Sequence, residues 1–166
     1  MKYWILTDFH LGHREKMVKW CGRPENYETM LFEALRAIPE TNVLIYLGDY
    51  CIGNDEYWHK SHIMKFNYLK WLIRGNHDKK SPTWYLEHGW HCVCDALSLN
   101  YFGKKIVFSH IPLKDNGYDV NIHGHFHNSD HRRHEPDLVE IKNDKQILVK
   151  IEHGYKPFDL KKIIGQ

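Results

Sequence analysis

Apolar and polar positions along the chain fall into two alternating rhythms. Residues 2–7 are apolar or β-favouring at nearly every position, which predicts a strand buried on both faces. Tyr27, Met30, Leu31, Ala34, Leu35 and Ile38 recur at helical spacing and Pro39 ends the run, so a helix is expected over 27–38. Residues 43–47 repeat the buried-strand pattern, 55–69 read as a second helix, and 71–74 as a short strand. Ser81-Pro82 has the form of a helix start, with Ser as cap and Pro in the first turn, leading toward Leu86. Strands are then expected at 91–99, 105–109 and 120–123. A closing hairpin is expected from 138–141, a polar turn at 142–145, and 147–151. Strands first alternate with helices and then follow one another, an α/β beginning with a β-rich end.

The polar residues gain meaning from where these strands stop. Asp8-Phe9-His10 follows the first strand, Gly48-Asp49 the second and Gly75-Asn76-His77-Asp78 the third. Ser109-His110 closes the strand at 105–109, and Gly124-His125-Phe126-His127 follows the one at 120–123. Ligands of open α/β sheets bind outside the carboxyl ends of strands, so five such ends on neighbouring strands would converge on one crevice. The spacing of Asp8/His10 and of His125/His127 puts each pair on one side of an extended segment. Gly48, Gly75 and Gly124 let the backbone turn sharply just where side chains must be aimed.

Composition narrows the class of molecule. A chain of 166 residues predicts a single domain, residues 1–166, with one sizeable core. Hydrophobic content of 42% excludes a disordered chain, and no apolar run approaches a membrane span. Asp8 interrupts the opening before an export signal could build, so a cytoplasmic location is expected, with no membrane partner. A formal charge of +2 gives no bulk electrostatic case for nucleic acid. Cys21, Cys51, Cys92 and Cys94 contain no Cys-x-x-Cys pair and are expected as reduced thiols. Histidine is the outlier at 14 residues, which poses the question of whether these histidines are placed or merely abundant. The strand-end set supplies oxygen and imidazole nitrogen but no thiolate, which suits manganese, iron or zinc rather than a cysteine–zinc cage.

Asp-x-His, Gly-Asp, Gly-Asn-His-Asp, His and Gly-His-x-His, in that order across positions 8 to 127, resemble the signature of the calcineurin-like metallophosphoesterase superfamily. The opening Thr7-Asp8-Phe9-His10-Leu11-Gly12-His13, with Arg23-Pro24 soon after, is most similar to its short bacterial and phage phosphoesterases. The resemblance implies a four-layer α/β/β/α sandwich with mixed sheets and two divalent metal ions, manganese first, with iron, zinc or nickel as alternatives. Carried over position by position, Asp8, His10 and His127 would hold one metal, Asn76, His110 and His125 the other, and Asp49 would bridge them. His77 would be the catalytic histidine that contacts the phosphate or protonates the leaving group. Two metals about 3.5–4 Å apart acidify a water between them and clamp phosphoryl oxygens during in-line attack.

Histidines outside the signature, His59, His62, His88, His91 and His153, are explained as helix or strand residues. His13, Arg14, Arg23, His123, Arg132 and Arg133 are candidate substrate contacts, the arginines because their fork matches phosphate oxygens. The tryptophans are read as core rather than as a base-stacking platform. Phosphoprotein phosphatases follow Gly-Asp with a segment resembling x-Val-Asp-Arg-Gly, whereas here it runs Tyr50-Cys51-Ile52-Gly53, so that branch is disfavoured. The chain length also leaves no room for the capping domains of related nucleases. What remains is hydrolysis of a phosphodiester or phosphomonoester in a small, nucleotide-like substrate, by a monomer or small homo-oligomer with no protein partner expected. The alternatives are a non-catalytic interaction module of the same fold and a histidine-rich metal store.

Overall fold

The structure, a computed structural model, describes residues 1–127 and 143–166. Two mixed sheets stack face to face and are flanked by helices, the α/β/β/α sandwich expected. The first sheet contains β1 (Tyr3–Leu6), β2 (Val43–Tyr46), β3 (Leu69–Ile73), β4 (Cys92–Cys94) and β9 (Phe158–Asp159), in the order β4-β3-β2-β1-β9. Its first four strands are parallel and β9 is antiparallel to β1. The second sheet contains β5 (Ala96–Tyr101), β6 (Lys104–Ser109), β7 (Val120–His123) and β8 (Gln146–Leu148), in that order. Here β5 and β6 form a hairpin while β6, β7 and β8 are parallel.

The pleat sorts β2 between two cores. Leu44 and Tyr46 point into a cluster with Leu31 and Leu35 of α2 (Tyr27–Arg36), while Val43, Ile45 and Leu47 point into the layer between the sheets with Ile106, Phe108 and Ile122. Both faces are buried, which is why this strand reads as a continuous apolar run. β5 behaves differently: Leu97, Leu99 and Tyr101 pack inward while Ala96, Ser98 and Asn100 alternate outward, as on an edge strand. Met17 and Cys21 of α1 (Arg14–Cys21) and Tyr85 of α4 (Pro82–Glu87) also pack into the first core.

Several expected boundaries move for identifiable reasons. The expected helix 55–69 is only α3 (Asp55–Ser61) followed by a 3₁₀ turn (Ile63–Lys65), because Leu69 opens β3 by pairing with Val43. The expected strand 91–99 divides at Asp95, where the chain leaves the first sheet for the second; Arg74 holds that corner through a 2.7 Å ion pair with Asp95. α1 was not expected; Met17, Val18, Trp20 and Cys21 are its apolar residues, and only Met17 and Cys21 are buried. Nor were β9 and the short α5 (Leu160–Ile163), which the Asp159 side chain caps at its start. Residues 138–141, one arm of the expected hairpin, lie outside the described residues, and the other arm is strand only over Gln146–Leu148. All four cysteines are free thiols.

Candidate metal centre

The five strand ends meet at one place. β1, β2 and β3 lie side by side in the first sheet and β6 and β7 side by side in the second, all parallel within their sheets. Stacking the two sheets therefore brings the loops after all five strands onto one edge. Three groups of ligand atoms form there, each with its atoms within 4.8 Å of one another: Asp8, His10 and His127; His10, Asp49 and His77; and Asp49, His110 and His125. Asn76 joins the last group, with its Oδ1 3.0 Å from His110 Nε2.

The local backbone is not the extended one that the alternating spacing suggested. Asp8 (φ 54°), His10 (φ 50°), Asp49 (φ 59°), His125 (φ 73°) and His127 (φ 45°) all occupy the left-handed region, which non-glycine residues rarely visit. Such strain persists where surrounding contacts over-determine it, and these residues cluster at one site. The two histidines of the last motif consequently part company, His127 turning to Asp8 and His10, and His125 to His110 and Asp49. The glycines make this crowding possible. A Cβ on Gly124 would stand 2.1 Å from Thr7 Oγ1 and 2.4 Å from Asp8 Oδ2, and one on Gly75 would stand 2.1 Å from Asp49 Oδ1.

The tautomers set by the surroundings test whether cations fit here. His110 Nδ1 donates to the Leu47 carbonyl at 2.7 Å, which leaves Nε2 as its lone-pair nitrogen. That nitrogen lies 3.0 Å from Asn76 Oδ1, 3.0 Å from His125 Nδ1 and 3.3 Å from Asp49 Oδ2. On the other side His10 Nε2 and His127 Nε2 face each other at 3.0 Å, each 3.7 Å from Asp8 Oδ1, a buried oxygen with no hydrogen-bond partner. Carboxylate oxygens and imidazole nitrogens gathered this closely, one of the oxygens buried without a partner, suit a positive charge among them. Divalent cations fit both groups.

In the metal-free protein protons take part of that role. Burial would lower His110, but the hydrogen bond to Asp49 and the charges of Asp8 and Asp49 raise it to about 9. Burial drives His10 down to about 4 against those same carboxylates. Burial would raise Asp8 and Asp49, and the neighbouring histidines outweigh it and hold both below the usual carboxylate range.

The remaining candidates divide. His77 lies at the open side, its side chain 43% exposed, its Nε2 4.0 Å from Asp49 Oδ2 and its backbone N–H donating to Asp49 Oδ1. Asp78 does not orient it: the buried Asp78 carboxylate accepts from the backbone N–H groups of Gly75, Asp49 and Tyr50, locking two ligand loops together. His13 is half-buried at the start of α1, near enough to His77 for their charges to interact. Arg14 is exposed and bound to Glu25 through both its carbonyl and its carboxylate. Arg23 is not on the substrate side, contrary to expectation. Its guanidinium is fully buried, held by Glu152, Asp8 and Phe9, because the chain after α1 turns inward beneath the ligand loop. His123 is likewise buried, with Nδ1 3.0 Å from the Gly124 carbonyl oxygen and its ring edge-on to Phe126. Arg132 and Arg133 lie outside the described residues. Sequence reasoning missed Glu152, whose carboxylate accepts from His127 Nδ1 at 3.1 Å. The signal was weak, because Lys150 interrupts the apolar residues Ile147, Leu148, Val149 and Ile151 that precede Glu152.

A family model described as calcineurin-like phosphoesterase matches residues 1–163. Among solved structures, the chain is similar to a protein of unknown function, AQ665, from Aquifex aeolicus. The identity is 22% and the TM-score 0.75, over 98% of this chain and 97% of that one. It is also similar to a structure described as a novel archaeal phosphodiesterase, at 16% identity and a TM-score of 0.50, over 90% of this chain and 82% of that one. At these identities the shared property is the fold. No curated protein sequence matches the chain.

Proposed function

The chain belongs to the calcineurin-like phosphoesterase family, and from that premise we propose that it hydrolyses a phosphodiester or phosphomonoester in a small, nucleotide-like substrate, using two divalent cations. The observation that carries this reading is the position of Asp49. Its Oδ2 lies 3.6 Å from His10 Nε2 and 3.3 Å from His110 Nε2, so one carboxylate serves both ligand groups. Asp8, His10 and His127 would hold one ion and Asn76, His110 and His125 the other, with Asp49 between. The ions supply Lewis acidity toward phosphoryl oxygens and acidify water. Oxygen and nitrogen donors without thiolate suit manganese, iron or zinc, and manganese is the ion proposed first.

The protein's own side chains do the rest. His77 stands exposed at the mouth, where a proton on Nε2 can pass to a departing alkoxide. Asn76, also exposed, combines a neutral amide with an open flank from which a phosphate can approach. His13 at the start of α1 offers a donor for a further phosphate oxygen, as Arg14 beside it would on release from Glu25, and the opening motif with Arg23-Pro24 supports a likeness to short bacterial and phage phosphoesterases. No helix among the described residues is long and apolar enough to cross a membrane.

Manganese-stimulated hydrolysis of bis(4-nitrophenyl) phosphate by the purified chain is the expected result, and it should disappear with a chelator and return with added manganese. A stoichiometric protein partner without turnover on any phosphate ester would instead identify an interaction module. Cyclic nucleotides, dinucleotide polyphosphates and short oligonucleotides, assayed with manganese, rank the substrate classes.

A further inference from the structure

We infer that the substrate is a single-stranded oligonucleotide that crosses the mouth of the metal centre between two basic flanks, with one base stacked on Trp20. The inference rests on the hydrolytic reading above and names its substrate class. One spacing, His-x-x-Lys-x-x-x-Trp, occurs twice in the chain, as His13, Lys16 and Trp20 and as His77, Lys80 and Trp84. The two histidines are near enough for their charges to interact, and His77 stands at the open side of the site. From there the two motifs follow different elements, the first along α1 and the second through a loop into α4. In each the lysine ammonium lies over the tryptophan ring, 5.3 Å from its centroid for Lys16 and 5.7 Å for Lys80. Both lysines are exposed.

Trp20 was expected in the core, yet it is 57% exposed, the one exposed tryptophan of six. Met17 and Cys21 anchor α1, so the indole is left in water beside a cation. An aromatic face joined to a positive charge is what single-strand binding uses, the ring for a base and the charge for the backbone. Residues three and four apart are neighbours on a helix, so His13, Lys16 and Trp20 line one face, and Glu15, the acid of α1, is not on it. Seven residues set Trp20 about 10 Å along the axis from His13, which leaves room for a phosphate at Lys16 between them. The second flank is built differently. Trp84 is half-buried and stacked on His88 at 3.7 Å, so its ring is already engaged and Lys80 supplies charge. A mononucleotide has one base and one phosphate and serves one flank. A strand has both on each side of the scissile bond. Stacking on Trp20 requires an unpaired base, which favours a single strand over a duplex.

The test measures binding of a fluorescein-labelled thymidine hexanucleotide to the full-length chain by fluorescence anisotropy, in chelator so that nothing is cleaved, with the thermal midpoint as a folding control. Trp20→Ala should weaken binding about tenfold, and Trp20→Phe, which keeps a stacking face, should restore most of it. Lys16→Gln and Lys80→Gln should each weaken binding and lower the slope of log affinity against log salt by about 0.7. The same sequence as a duplex should bind at least about tenfold more weakly. With manganese the parent should cleave the unlabelled hexanucleotide. Equal binding by parent and Trp20→Ala, equal binding of the duplex, or losses in Trp20→Ala and Trp20→Phe that follow a falling thermal midpoint would each overturn the inference. So would a dimer that Trp20→Ala dissociates in a chain that binds no hexanucleotide, since Trp20 would then face a second copy. Hydrolysis of bis(4-nitrophenyl) phosphate without cleavage of the hexanucleotide would overturn this inference alone, and hydrolysis of neither would overturn the reading beneath it.

Discussion

Five histidines stand at the metal centre, and three more, His59, His62 and His88, crowd one flank among aromatic rings. The second group follows one rule: each Nδ1 donates to the carbonyl four residues earlier, Asp55 for His59 at 2.7 Å, Trp58 for His62 at 3.3 Å and Trp84 for His88 at 2.7 Å. Their rings pack as aromatics do, His62 stacked on Phe32 at 3.6 Å and His88 on Trp84 at 3.7 Å. Among the described residues, none of the three belongs to a group of carboxylates and histidines close enough to hold a metal ion. Helical backbone ties these rings to their own turn, whereas loops after strands leave lone pairs free to converge. Abundance of histidine is therefore no guide to metal binding, and backbone placement is.

The largest test of that contrast is Asp49→Ala. It removes the carboxylate common to both ligand groups, so metal-dependent turnover should fall by about 10³-fold or more; near-normal activity would end the assignment. Gly124→Ala comes next. The new methyl group would meet Thr7 and the Asp8 carboxylate at distances no packing can absorb, so manganese affinity should drop at least about tenfold even though no ligand is changed. Retention of wild-type affinity would show that the close approach is not needed. His77→Ala should slow turnover about 10²-fold on alkyl esters and much less on nitrophenyl esters, whose leaving groups need no proton. Metal content should stay intact; its loss would make His77 a ligand, as its grouping with His10 and Asp49 allows.

The smallest effect lies on the aromatic flank and concerns stability rather than catalysis. Burial depresses His59 to about 4 from its usual 6.5. Between those values the unfolded chain binds a proton that the folded chain refuses, so stability present above pH 6.5 is lost as pH falls toward 4. The loss is on the order of 3 kcal/mol. Urea unfolding of the metal-free protein should show a shallower pH dependence over that window in His59→Phe than in the parent. Parallel curves would mean that His59 is not kept neutral by its surroundings.

The strand ends were legible because a buried strand in a parallel sheet must be apolar throughout, so the first polar residue after it stands out. That pattern marked the five strand ends from which the resemblance picks seven ligand candidates, and it passed over Glu152 because Lys150 interrupts the apolar run before it. The bland reading of His59, His62 and His88 was legible too, from helical surroundings. What could not be read was backbone handedness: the alternation of Asp8 with His10 suggested extended chain, but both are left-handed, held so by contacts from distant residues such as Arg23. Arg23 itself looked like a phosphate contact because its chemistry is the same whether its partner is a ligand or Glu152. The crossing at Asp95 was hidden for a related reason, since no glycine or proline marks where a strand changes sheets.

The central claim is that placement rather than number makes the metal site, and metal stoichiometry tests it most directly. Manganese bound per chain, measured by elemental analysis after removal of free metal, should be close to two in the parent and close to two in a His62→Phe, His88→Phe double variant. It should fall sharply in Asp49→Ala. Uptake well above two per chain, declining with the flank histidines and indifferent to Asp49, would contradict the account and describe a histidine-rich metal store instead.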